Sequence, residues 1–345
     1  MGTLSDYIKW RGDLTFNQDG FNTIDNLVLS CLSYVAFEDV FAGSDAHEMD
    51  IATVNKLYFS KPHDDSKYNE GSILKDAPRV LKAIAKTNRY KDVKIRNYVN
   101  KIEQDKTLQF AAMEFLLPDG TSYVAFRGTD DSIVGWKEDF MLALEEVEAE
   151  RQAVNFLNSI AAASDRMLRV GGHSKGGHLA MYATAMCHED IRGRIINVYS
   201  NDGPGFMESV AETDAMKAIC PKLISVIPEE SIVGLLMQPI GKPIVVKSTA
   251  IALAQHNVAT WCLEGKELTT VKDVSKTAKF VDKKLKENIS KMTNEELNDF
   301  VENLFSIFEA TGAITLSDMK KSGLKGLQAM TQKASDITKK IGKNN

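Results

Sequence analysis

Along the chain the apolar and polar positions first sort into helix-like stretches and then into alternating strand-like and helix-like ones. Residues 26–40 (NLVLSCLSYVAFEDV) read as a buried helix, and residues 74–103, rich in Lys and Arg, as one or two further helices. Two β-rich runs, 108–117 and 121–126, flank the turn Pro118-Asp119-Gly120 and predict a hairpin. A helix over 148–163, a strand over 167–171, a helix over 175–187, a strand over 195–200, a helix over 207–219 and a strand over 223–227 follow in that order. Such alternation implies a mainly parallel sheet with helices on both faces.

The tail has its own signals. Thr293 with Glu296 fits a capping box, and Leu297, Phe300, Val301, Leu304, Phe305 and Phe308 form an apolar stripe that stops before Gly312. Further on, Leu324, Leu327, Met330, Ala334, Ile337 and Ile341 recur at spacings of three and four, opposite Lys325, Lys333, Lys339 and Lys340. That is a basic amphipathic helix, which fits packing on its own domain or a partner protein, and also peripheral contact with a membrane surface. The expected organisation is therefore a helical part over 1–105, an α/β core over 106–264 and a lysine-rich helical extension over 265–345.

Composition narrows the class. Of 345 residues 43% are hydrophobic and 26% charged, as in a globular enzyme, and the net charge of -5 points to no nucleic-acid partner. Residues 265–345 hold 15 lysines, no arginine and 11 acidic residues, so the extension differs in kind from the rest. No window approaches the roughly 18 consecutive apolar residues of a membrane span. Residues 1–19 lack a basic start followed by an apolar stretch, so no secretory signal is expected. Cys31, Cys187, Cys220 and Cys262 are widely spaced without a C-x-x-C pair, which fits reduced thiols, a cytoplasmic setting and no zinc site. No metal or nucleotide cofactor is expected.

The chemistry concentrates at Gly172-His173-Ser174-Lys175-Gly176, a G-x-S-x-G pentapeptide between the strand at 167–171 and the following helix. A serine on a sharp strand-to-helix turn is a candidate nucleophile, and the flanking glycines give the turn room. Such a hydroxyl needs a base. In folds with this elbow the order is Ser, acid, His, which disfavours His47 and His63. His173 and His178 flank the elbow, where they would point into the strand or along the helix, and His188 ends the helix; His256 remains. Two strand-end carboxylates compete as its partner, Asp202 in Asn201-Asp202-Gly203-Pro204-Gly205 and Glu230 in Pro228-Glu229-Glu230-Ser231-Ile232-Val233-Gly234. Lys175 supplies one backbone oxyanion donor by position, and a loop after an earlier strand should supply the second.

That loop carries a resemblance. Phe126-Arg127-Gly128-Thr129, then Trp136 and Asp139, then G-H-S-x-G, resembles the ordered signature of the class 3, or fungal-type, lipases over roughly residues 107 to 261. The chain also resembles a bacterial branch of α/β-hydrolases of unknown function in its D-x-x-x-x-R-G-D start (Asp6 to Asp13), N-D-G-P-G and P-E-[DE]-S-I-V-G segments. The resemblance implies an α/β-hydrolase fold with a Ser174 nucleophile, a His256 base, and Thr129 and Lys175 as oxyanion donors. It favours Glu230 over Asp202 as the acid, and it suggests that Arg127 and Asp139 pair to brace the oxyanion loop. The expected function is hydrolysis of a carboxylic ester, lipid acyl esters included. Acyl transfer by the same chemistry, and a catalytically silent binding module of the same fold, stand as alternatives. Lys175 and His178 depart from the lipase pattern, and a cation beside the nucleophile suggests an anionic or polar ester.

Overall fold

The computed structural model describes residues 1–42, 48–62, 72–103, 108–130, 142 and 146–289. Its frame is a nine-stranded sheet whose first eight strands stand side by side in chain order: β1 (Glu48–Asp50), β2 (Lys94–Glu103), β3 (Leu108–Leu116), β4 (Ser122–Phe126), β5 (Leu168–His173), β6 (Ile195–Asn201), β7 (Leu223–Pro228) and β8 (Ile244–Val246). The short strand Thr270–Val271 closes the far edge. β1 to β4 run antiparallel and β4 to β8 parallel.

A pleated strand sends alternate side chains to opposite faces, and here the two faces carry separate hydrophobic clusters. In β4, Tyr123 and Ala125 join one cluster while Val124 and Phe126 join the other. Because the parallel strands step steadily in one direction, right-handed crossovers place their connecting helices on one face. The helices Glu148–Ala162, Lys175–Met186 and Asp214–Ile219 all bury their apolar sides in that same cluster. The other face is covered from the N-terminal third, by α1 (Leu4–Arg11), α2 (Thr23–Leu32), α3 (Glu38–Phe41), α4 (Ile51–Tyr58) and α5 (Ile73–Ile84). The result is a mixed, mostly parallel sheet with helices on both sides, the architecture that the resemblance led one to expect.

The local chemistry explains where these helices begin. The Asn22 side chain accepts the Ile24 and Asp25 N–H groups, and the Asp25 carboxylate returns the bond to the Asn22 N–H, a reciprocal cap that starts α2 at Thr23. α2 ends at Leu32, so the helix expected over 26–40 is shorter and sits earlier, with α3 as a separate turn. Asp25 is fully buried, and Arg89 grips it through Nε (2.7 Å to Oδ1) and Nη2 (2.5 Å to Oδ2), while the Tyr7 and Tyr90 hydroxyls also donate to it. A buried charge needs such a full set of partners. This set ties α1 and α2 to the turn before β2.

Residues 94–103, expected as helix, are strand β2 instead. This lysine- and arginine-rich segment read as part of a helix, but Ile95 is buried in the core and the segment pairs with β3 from Lys94↔Leu116 to Glu103↔Leu108. Residues 1–105 thus give the sheet two strands in addition to their helices. The helices expected within 293–341, including the basic amphipathic one, lie outside the described residues, as do Trp136 and Asp139. Among the described residues no helix is long and apolar enough to cross a membrane, and the four cysteines are free thiols.

Candidate active site

The carboxyl ends of the parallel strands bring the sequence candidates to one edge of the sheet, where sites form in sheets of this kind. β5 leads into Ser174, β6 into Asp202, β4 into Arg127-Gly128-Thr129, and β7 into Glu229-Glu230, while His256 ends a short 3-10 turn after β8. Ser174 is 7% exposed and has φ 58° and ψ -133°, an unusual backbone for a residue with a side chain. Conformations of this sort cost about 1–3 kcal/mol and persist only where the surroundings enforce them. Here the enforcement is visible. The Ser174 N–H donates to the Asn201 carbonyl (3.0 Å), and its own carbonyl accepts the Gly177 N–H (2.9 Å) as the helix Lys175–Met186 begins.

The two glycines of the pentapeptide are needed because strand and helix touch there. A Cβ on Gly172 would lie 2.3 Å from the Gly176 carbonyl carbon, and one on Gly176 would lie 2.1 Å from the Phe126 carbonyl oxygen. Backbone cannot move aside as a flexible side chain could. Gly176→Ala is accordingly expected to destabilise the chain by about 3 kcal/mol, at the upper end of overpacking costs; a urea titration against the parent reads it directly.

Asp202 is the carboxylate that meets His256. Its Oδ2 lies 2.6 Å from His256 Nδ1, and the side chain is 1% exposed. The other oxygen, Oδ1, accepts the Ser231 hydroxyl (2.5 Å) and the Gly234 N–H (3.2 Å). The positive φ of Asp202, 51°, suits an Asn-Asp-Gly segment, since short polar residues tolerate this region. Glu230, the acid favoured by resemblance, faces elsewhere. Its N–H donates to Gln255 Oε1 (3.1 Å) and its Oε2 accepts Gln255 Nε2 (3.5 Å). The P-E-E-S-I-V-G segment therefore serves the site through Ser231 and Gly234, which orient Asp202, and a Cβ at 234 would fall 2.5 Å from Asp202 Oδ1. Neither role was read from the sequence.

The loop after β4 lies against the elbow. A Cβ on Gly128 would meet the Tyr34 hydroxyl at 2.2 Å, the His173 carbonyl at 2.5 Å and Ser174 Cβ at 2.9 Å, so only glycine lets this loop approach the serine. Thr129 follows, half-buried. Arg127 is buried and donates through Nη2 to Asn100 Oδ1 of β2 (2.9 Å), which anchors the loop from the other side. The Lys175 side chain does not stand as a cation facing substrate. It is 1% exposed and turns into the protein, where Nζ donates to the Gln109 carbonyl (3.0 Å) and Gln109 Oε1 (3.5 Å). The same Oε1 accepts the Asp130 N–H (3.4 Å). Lys175 thus braces, through Gln109, the backbone of Asp130 next to Thr129, and the expectation that it selects an anionic ester loses its basis.

The two histidines beside the elbow have definite partners. His178 Nε2 faces Glu150 Oε1 (2.9 Å), its Nδ1 faces the Gly205 carbonyl (2.9 Å), and its ring stacks on Phe206. It links the loop that follows Asp202 to the start of the helix Glu148–Ala162. His173 is 1% exposed, with Nδ1 2.7 Å from the Tyr34 hydroxyl and Nε2 2.7 Å from the His256 carbonyl. Burial, and after it the nearby His256, holds its pKa well below the usual histidine range.

A histidine kept neutral when folded and free to charge when unfolded weakens folding in acid. Its contribution is complete above the unfolded value of about 6.5 and is lost as pH falls below it, with a slope of at most about 1.4 kcal/mol per pH unit. Thermal unfolding between pH 7 and pH 5 should record a falling midpoint, and a shallower fall in His173→Gln.

Asn201 also supports the elbow, from below. Besides accepting the Ser174 N–H on its carbonyl, its side chain donates to the Gly172 carbonyl (2.9 Å), so it holds the backbone two residues before the serine as well. It exchanges bonds with Asn26 of α2 (2.9 and 3.1 Å), and Ser30 and Tyr123 complete this buried polar cluster. Among the described residues no three His, Cys, Asp or Glu side chains group as a metal ion would require.

Residues 84–306 match the model of the Mbeg1-like family. No curated protein sequence matches the chain. Solved structures to which it is similar include a fungal lipase in complex with an inhibitor, at 15% identity over 64% of this chain and 77% of that one, with a TM-score of 0.40. The Rhizomucor miehei lipase propeptide complex is similar at 14% identity over 70% and 79%, with a TM-score of 0.41. An extracellular lipase of Serratia marcescens is similar at 15% identity over 63% and 40%, with a TM-score of 0.36.

Proposed function

The chain belongs to the Mbeg1-like family, a lipase-like family, and from that premise we propose that it is a serine hydrolase of carboxylic esters with Ser174 as nucleophile, His256 as general base and Asp202 as the acid. The observation that carries the reading is the 2.6 Å bond between Asp202 Oδ2 and His256 Nδ1, on the histidine whose backbone is bonded to the residue before Ser174. An Nδ1–H held by a carboxylate leaves Nε2 as the proton acceptor and stabilises the imidazolium that forms when the serine gives up its proton.

In the first half-reaction Ser174 Oγ attacks the ester carbonyl, His256 takes the hydroxyl proton, and the tetrahedral oxyanion collapses to an acyl-enzyme as His256 returns the proton to the departing alcohol. Water then attacks the acyl group with His256 again as base, and the free acid leaves. The oxyanion is met by the backbone N–H of Lys175, at the first turn of its helix where amides point outward, and by Thr129 on the loop that Gly128 brings against Ser174. Arg127, Lys175 Nζ and Gln109 keep that loop in place.

Hydrolysis of short- and medium-chain p-nitrophenyl esters and monoacylglycerols by the full chain tests the proposal. The wild type should turn over at least one of them, and Ser174→Ala should retain less than about a thousandth of that rate. Equal rates in the two would dismiss the reading.

A further inference from the structure

His256 sits on a short 3-10 turn, Ala252–His256, outside any strand or long helix. A base on such a segment needs its backbone located by something else, because a misplacement of about 1 Å can cost on the order of a hundredfold in rate. Several bonds hold the flanking residues: Gln255 to Glu230, the Trp261 Nε1–H to the Gln255 carbonyl (2.8 Å), and Asn257 Nδ2 to Asp76 (2.8 Å). One holds His256 itself to the nucleophile's own strand, and it comes from His173.

The direction of that bond is fixed by chemistry. A carbonyl oxygen only accepts, so His173 Nε2, 2.7 Å from the His256 carbonyl, must carry a hydrogen. His173 Nδ1, 2.7 Å from the Tyr34 hydroxyl, then accepts a hydrogen bond from the phenol O–H if the ring is neutral, and the fully buried ring has every reason to be neutral. One tautomer satisfies both contacts. The other would set an Nδ1–H against the phenol and a lone pair against the carbonyl. Neutrality matters for a second reason, since the His173 and His256 rings are 4.4 Å apart. A charged His173 would repel the imidazolium that His256 must become.

We propose that His173 is a positioning residue: held as its Nε2–H tautomer by Tyr34, it ties the backbone of the base to the residue preceding the nucleophile. The inference rests on the reading of Ser174 and His256 as nucleophile and base. Tyr34 lies on the chain just after α2, so the N-terminal helical layer takes part in setting the distance between base and nucleophile.

The test compares wild type, Tyr34→Phe, His173→Gln and His173→Leu as full chains. Each is reacted with an alkyl fluorophosphonate, and the second-order rate is scaled to the fraction of sites titrated at saturation, so that unfolded molecules do not count. Loss of the tie in His173→Leu should slow the reaction by about 30-fold or more, whereas Gln, whose amide can reach the same carbonyl, should stay within about fivefold of wild type. Tyr34→Phe, which removes one hydroxyl, should slow it by about fivefold to tenfold. If the pocket merely required packing, Leu would be tolerated better than the polar Gln. Equal rates for Leu and wild type, or equal losses in Leu and Gln, overturn the role of His173 while leaving the hydrolase reading intact. Imidazole nitrogen shifts give an activity-free reading: the wild type should show His173 neutral with hydrogen on Nε2 at pH 7, and an Nδ1–H tautomer or an imidazolium overturns the proposal. A wild type inert to the probe overturns the nucleophile reading and this role with it.

Discussion

Replacing Asp202 with Asn should lower kcat by about 10⁴-fold, while Glu230→Gln should stay within about threefold of wild type. The size of the first effect follows from the hydrogen bonds around the carboxylate. Asp202 Oδ1 accepts from two donors, the Ser231 hydroxyl and the Gly234 N–H, so the amide oxygen of an Asn must take that position. Its NH2 group then occupies the place of Oδ2 and points a hydrogen at His256 Nδ1, 2.6 Å away in the parent. The ring answers by moving its own hydrogen to Nε2, and a protonated Nε2 cannot accept from a serine. The shape is kept and the tautomer is wrong. Glu230, whose carboxylate and amide face Gln255, should alter only how that side chain is held. Steady-state kinetics on one ester across both variants separates the acids, and the reverse ranking would restore Glu230 to the role that resemblance favoured.

His256→Ala is expected to cost still more, on the order of 10⁵- to 10⁶-fold in kcat, because it removes the base from both half-reactions. KM should change little, since the imidazole acts on the serine rather than on the bulk of the substrate. The protein should fold, as the backbone carbonyl that His173 grips remains and the His256 side chain is 23% exposed. Rates measured at rising pH discriminate further: hydroxide can assist the variant but not restore it. A variant with more than about a hundredth of the wild-type rate would mean that another base serves Ser174.

How far the sequence spoke for itself depended on whether a feature was local. The elbow was legible because glycine, serine and glycine at fixed spacing between a strand and a helix have one stereochemical use, and the parallel strands read well because their apolar runs are buried on both faces. β2 was not, because its lysines and arginine masked the two-residue alternation, and its pairing with β3 is a tertiary contact that no local pattern announces. The acid was read as Glu230, on resemblance, for a similar reason. Asp202 and Glu230 both follow strand ends, and only the three-dimensional position of Ser231 and Gly234 tells which carboxylate is oriented toward His256. Lys175 misled because sequence adjacency to Ser174 says nothing of direction; as the first residue of its helix it turns back toward Gln109. The contacts of Tyr34, Asn26 and Asn201 join residues 139 and 175 positions apart, and no local pattern announces them.

The central claim is that Ser174 is the group that becomes covalently acylated. Treating the full chain with a fluorophosphonate and mapping the adduct by peptide mass spectrometry tests it most directly. A single adduct on the peptide containing Ser174, absent from Ser174→Ala and formed far more slowly in His256→Ala and Asp202→Asn, is the expected result. An adduct on another residue, or labelling that persists unchanged in Ser174→Ala, would contradict it.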